Sequence, residues 1–87
     1  LRIDGTRAWV VRDRVEVHGT VDDLVSLLAV GGQATGVTTT GLAWPLSNGV
    51  LGPGAGLGLS NQLAVPTATV EVGSGVVIVL MPAATGL

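Results

Sequence analysis

Cysteine, lysine, tyrosine and phenylalanine are all missing from the 87 residues. Without cysteine there can be no disulfide and no thiolate metal site. Cytoplasmic residence is the expectation that fits this best. The basic residues are all arginines, Arg2, Arg7, Arg12 and Arg14, and all lie near the start. From Leu24 to Leu87 the one charged side chain is Glu71. No basic stripe exists, which argues against a nucleic-acid site. Nor is there local charge to clamp a triphosphate or its metal. Long apolar runs are missing too. Val76 to Met81 is far shorter than the ~20 residues that span a bilayer, so no membrane span and no signal peptide are read. The length allows a single domain, residues 1–87, and one this small is marginal by itself. Its first residue is Leu1 rather than Met, which suggests a piece of a longer protein.

What the chain does have is strand signal. Arg14-Val15-Glu16-Val17-His18 alternates, with both valines on one face. Thr67 to Val72 alternates in the same way. Val76 to Met81 is continuously apolar and reads as a strand buried on both faces. Ala8 to Val11 and Ala34 to Thr40, rich in Val and Thr, are further strands. Asp4-Gly5 and Asn48-Gly49 suit tight turns, and Gly73-Ser74-Gly75 predicts a hairpin between the last two strands. Thr20 to Leu28 is ambiguous. Thr20 and Asp23 resemble a helix cap, and Leu24, Leu27 and Leu28 have helical spacing. Leu24 to Val30 is also strand-length and ends at Gly31-Gly32, and the strand is favoured. Short strands between Gly and Pro turns point to an all-β sandwich, barrel or jelly roll.

Few residues offer chemistry. Gly52 to Gly58 cannot be drawn as G-x-G-x-x-G, and no Lys-Ser/Thr follows it, so it reads as a loop. His18 is the one histidine. It lies on the polar face with Glu16 and reads as solvated surface. Asp22 and Asp23 are neighbours that a strand would send to opposite faces, so they read as turn residues. Thr38-Thr39-Thr40 favours a strand, although alternate hydroxyls could face a pocket. Trp9 reads as packing. Trp44, held extended by Pro45, is core by default or else a stacking platform for a planar ligand. Ser60-Asn61-Gln62, taken alone, is a turn.

Together, Val25-Ser26-Leu27-Leu28, Gly31-Gly32, the run Gly36 to Leu46 and Gly58-Leu59-Ser60-Asn61-Gln62 resemble the C-terminal domain of thiamine diphosphokinases in order and spacing. The resemblance covers roughly Thr20 to Met81. It implies a jelly-roll or double-stranded β-helix-like sandwich and a homodimer. It also implies an N-terminal α/β catalytic domain, absent from this chain, which binds ATP and magnesium. The β domain would supply thiamine contacts, with Trp44 packing on its rings and Ser60 and Asn61 lining the pyrimidine site. No catalytic residue, metal ligand or bound cofactor is expected on the 87 residues themselves. The sequence departs from the family pattern at Gln62, where an acidic residue is common, and in its nearly all-apolar glycine loop.

Two functional classes follow. The leading one is the thiamine-binding and dimerising part of an enzyme that transfers pyrophosphate from ATP to thiamine. The other is a non-catalytic interaction or scaffold module that has kept the fold and lost the substrate.

Overall fold

In the computed structural model, residues 2–3, 5–52 and 59–82 are described. They form eight strands: β1 (Arg2–Ile3), β2 (Thr6–Val11), β3 (Arg14–His18), β4 (Leu24–Thr40), β5 (Gly49–Leu51), β6 (Leu59–Gln62), β7 (Thr67–Glu71) and β8 (Ser74–Met81). Every strand pairing is antiparallel. Among the described residues there is no helix. The hydrogen-bonded path is β1-β2-β8-β4-β7-β3, with β5 and β6 attached to β4. β3, at one end of the path, returns against β2, so the sheet is nearly closed into a barrel. The fold is all-β, as the turn-rich strand pattern predicts, and agrees with the jelly-roll-like β domain that the family resemblance implies.

The 17-residue β4 is the organiser. Its first half pairs with β8 on one edge and β6 on the other. Its second half pairs with β7 and β5. The two strands expected here, separated at Gly31-Gly32, are therefore one. The glycines mark a bulge. From Val30↔Val76 to Thr35↔Ser74, β4 advances five residues while its partner advances two. The extra residues are accommodated where Gly31 and Gly32 take φ of 76° and 142°, a region that L side chains avoid. The helical alternative at Thr20–Leu28 gives way to a turn and strand. Asp23 Oδ2 accepts the Thr20 N–H at 2.8 Å, and Asp22 takes φ 77°.

The hairpin expected at Gly73-Ser74-Gly75 does not form. β7 and β8 pair with β4 rather than with each other. The N–H groups that a tight turn would need are used elsewhere. Val72 N–H goes to Asp13 C=O at 2.8 Å and Gly73 N–H to Thr35 C=O at 3.0 Å. Residues 67–81 thus run along one edge of β4 and cross from one sheet to the other.

Valine makes up half of the core, which alternate residues contribute: Val25, Leu27 and Ala29 from β4, Ala68 and Val70 from β7, and Val77, Val79 and Met81 from β8. The β8 run is buried on one face only. Val76, Ile78 and Leu80 are half-buried on the other. They lie beside the exposed Val10 and Val30 of the neighbouring strands. This outer face is apolar. The outer face of the second sheet is polar, with Arg14 3.6 Å from Glu71, Glu16 3.2 Å from His18, and Thr40 hydrogen-bonded to Thr69 at 2.6 Å. His18 is two-thirds exposed there, the solvated position its strand alternation predicts. Trp9 packs against the core edge, with Arg7 Cζ 5.3 Å from its ring centroid.

Candidate functional site

Between β4 and β5 the chain turns sharply at Gly41, φ 78°. A Cβ there would collide with the Thr67 carbonyl oxygen, so β4 must end in glycine to pass under β7. Leu42 then bridges to Leu63 and is buried, and Trp44-Pro45 follows on the outside. Trp44 is 59% exposed, so burial as core, the default for this residue, is not what the fold does with it. Leaving that much indole in water forgoes on the order of 2 kcal/mol of burial free energy.

The loop beneath the indole is tied at every second residue. The Asn61 side-chain amide grips the Trp44 peptide groups from both sides. Its Oδ1 accepts the Trp44 N–H at 3.0 Å, and its Nδ2 donates to the Trp44 carbonyl at 2.7 Å. Oδ1 also accepts the Gln62 N–H at 3.0 Å. Ala43 N–H is bonded to the Gln62 carbonyl at 2.9 Å. Thr39 holds Leu46 in the same two-handed way. Its Oγ1 accepts the Leu46 N–H at 2.8 Å, and its own N–H donates to the Leu46 carbonyl at 2.9 Å. Thr38 Oγ1 accepts the Asn48 N–H at 3.1 Å.

Ser60-Asn61-Gln62 is therefore strand, not turn. β6 lays Ser60 opposite Ser26 and Asn61 opposite Val25, and turns the Asn61 amide inward. Asn61 and Trp44 come together directly, and Ser60 precedes Asn61 in the same strand. The hydroxyls of Thr38 and Thr39, which might have faced a pocket, serve the loop instead. The clamping part that Thr39 plays is not legible in the sequence. A threonine among threonines gives no local signal, and only the fold shows that it alone of the three is buried. The run Gly52 to Gly58 lies, from Pro53 onward, outside the described residues. No group of three or more His, Asp or Glu that could hold a metal occurs among the described residues.

Chemically, the site offers a largely exposed indole on an uncharged loop whose backbone is hydrogen-bonded to the fold, an arrangement that suits a flat ligand carrying positive charge.

Comparison with solved structures finds the same fold in bacterial thiamin pyrophosphokinases. That of Geobacillus thermodenitrificans superposes with a TM-score of 0.79 at 22% identity, over 92% of this chain and 38% of the other. The Bacillus subtilis enzyme gives 0.78 at 18% identity, over 91% and 38%. A thiamin pyrophosphokinase family protein of Enterococcus faecalis gives 0.72 at 11%, over 92% and 38%. This chain thus spans well under half the length of those proteins. No curated protein matches it in sequence. The family model described as thiamin pyrophosphokinase, vitamin B1 binding domain, matches residues 13–77, most of the chain and all of the loop that presents Trp44. By that match the chain belongs to the vitamin B1 binding domain family of thiamin pyrophosphokinases.

Proposed function

We propose that this chain is the thiamine-binding and dimerising domain of a cytoplasmic enzyme that transfers a pyrophosphoryl group from ATP to thiamine. The observation that carries this reading is the indole of Trp44, held open to solvent on a loop tied down along its length. Thiamine has a flat aminopyrimidine and a cationic thiazolium. An indole face attracts both, by stacking and by cation–π interaction. Ser60 and Asn61 line the aminopyrimidine side in this reading, with the Ser60 hydroxyl suited to its donors and acceptors and the Asn61 amide engaged by the Trp44 loop.

The residues present do not fit magnesium–ATP. Glu71 pairs with Arg14 and Glu16 lies beside His18 on the polar sheet, and among the described residues no group of three or more carboxylates or histidines could hold a metal. Phosphoryl transfer depends on metal and charge clamps. The nucleotide and its metal therefore belong, in this proposal, to an α/β domain elsewhere in a longer polypeptide. Dimerisation would use the apolar outer face of β2, β8 and β4. A shared site between two subunits would bury that face.

The test is calorimetric titration of thiamine into the protein and its Trp44→Ala variant. Saturable binding that the substitution weakens supports the proposal. Absence of thiamine binding, with self-association intact, would favour the scaffold reading, to which the departure at Gln62 already points.

A further inference from the structure

Among the described residues, the buried polar side chains are Thr39 and Asn61. Burying a hydroxyl or an amide is costly unless its hydrogen bonds are made, and a valine or leucine would fill such space without that cost. Both residues make bonds to one short segment. Asn61, 1% exposed, holds the N–H and carbonyl of Trp44. Thr39, 4% exposed, holds the N–H of Leu46 through its hydroxyl. Two residues after Leu46, Asn48 is held by Thr38. Leu46 itself packs on the core beneath the loop. Apart from the bond between Asn61 and its neighbour Gln62, the buried polar side chains of the described fold thus hold Trp44, which carries the exposed indole, and Leu46 just beyond it.

We infer that Asn61 and Thr39 are positioning residues. They fix the Trp44–Leu46 segment so that the indole is presented in one orientation before any ligand arrives. This rests on the reading of Trp44 as the thiamine platform, and it changes the part Asn61 plays. Its amide acts chiefly through the Trp44 backbone, because three hydrogen bonds already occupy both of its ends. A stacking ligand gains most from a face whose ordering cost has been met during folding. An untied Trp-Pro segment would have to be ordered at the moment of binding.

The experiment uses the Trp9→Phe background, in which Trp44 is the sole fluorophore. Trp44 anisotropy decay and thiamine affinity are measured well below the unfolding midpoint. Thr39→Val keeps the shape of the side chain and removes the hydroxyl. Thr39→Ser keeps the hydroxyl. Asn61→Ala removes the clamp. Thr39→Val and Asn61→Ala are expected to add fast local motion of the indole and to raise the thiamine Kd about three- to tenfold. Thr39→Ser is expected to restore both readouts toward the parent values. Should Asn61→Ala fail to fold, the Thr39 pair decides. Indole motion unchanged in folded Thr39→Val would overturn the inference, as would Thr39→Ser behaving like Thr39→Val. The platform reading fails separately, if Trp44→Ala leaves thiamine affinity as it was. The anisotropy result needs no ligand and does not depend on that outcome.

Discussion

Trp44 shows how a single residue can be read two ways until its surroundings are known. A core tryptophan replaced by alanine costs about 3–5 kcal/mol of stability. An exposed platform should behave otherwise. With 59% of Trp44 in solvent, Trp44→Ala is expected to change unfolding free energy by less than about 1 kcal/mol. The same change is expected to weaken thiamine binding by roughly 1–3 kcal/mol. Denaturant unfolding and thiamine titration on one variant check both figures. Two glycines offer a second residue-scale comparison. Gly31 and Gly41 share nearly the same φ, 76° and 78°. Around Gly31 an added Cβ meets nothing within 4 Å, whereas at Gly41 it meets the backbone of Thr67 and Ala68. Gly31→Ala should therefore cost only the conformational term, roughly 1–2 kcal/mol. Gly41→Ala should cost clearly more, because the clash is with backbone that cannot rotate away. Equal shifts in denaturation midpoint for the two would show that the turn at Gly41 can relax.

At the scale of the element, β4 makes the most specific claim. Its first half alternates, with Val25, Leu27 and Ala29 buried and Leu24 and Val30 exposed. Leu27→Ala is expected to cost about 2–5 kcal/mol, and Leu24→Ala less than about 0.5 kcal/mol. Thermal or urea unfolding of the pair would check this, and similar losses would mean the strand's register is wrong. A strand at Leu24 to Val30 was legible in the sequence from its length and its neighbours, though not which of its residues face inward. The continuity of β4 was not, because Gly31-Gly32 is as good a strand end as it is a bulge. Which it becomes depends on whether a partner strand continues on the far side, and here residues 67–81 do. The missing hairpin between β7 and β8 has the same origin. Gly73-Ser74-Gly75 permits a tight turn, but Asp13 and Thr35 supply carbonyls that take the N–H groups of Val72 and Gly73.

The molecule as a whole has two unlike faces. One sheet shows solvent a ladder of charged and hydroxyl side chains, and the other shows Val10, Ile78, Leu28, Val30 and Leu80. An apolar sheet face of this kind favours association. Sedimentation of the chain is expected to show concentration-dependent self-association, reduced by Val10→Lys, which places a charge on a residue already 60% exposed. A strictly monomeric parent would count against the proposed dimer. The chain alone is also expected to form no thiamine diphosphate from ATP, magnesium and thiamine. Mass spectrometry of the reaction mixture tests this directly.

Composition and alternation were enough to determine an all-β fold and a strand at Arg14–His18 with its valines on one face and its polar side chains in solvent. Those properties follow from side-chain period, and each strand carries that period within itself. Strand pairing and the use of the polar residues were decided only by tertiary structure. Thr39 is one of three adjacent threonines, and Asn61 lies in a stretch that looks like a turn. Both become buried clamps because β4 and β6 meet under the same loop, Thr39 reaching it from seven residues before Leu46 and Asn61 from 17 residues beyond Trp44. A hydrogen bond across such a separation leaves no local pattern to read. Its existence depends on where two strands meet.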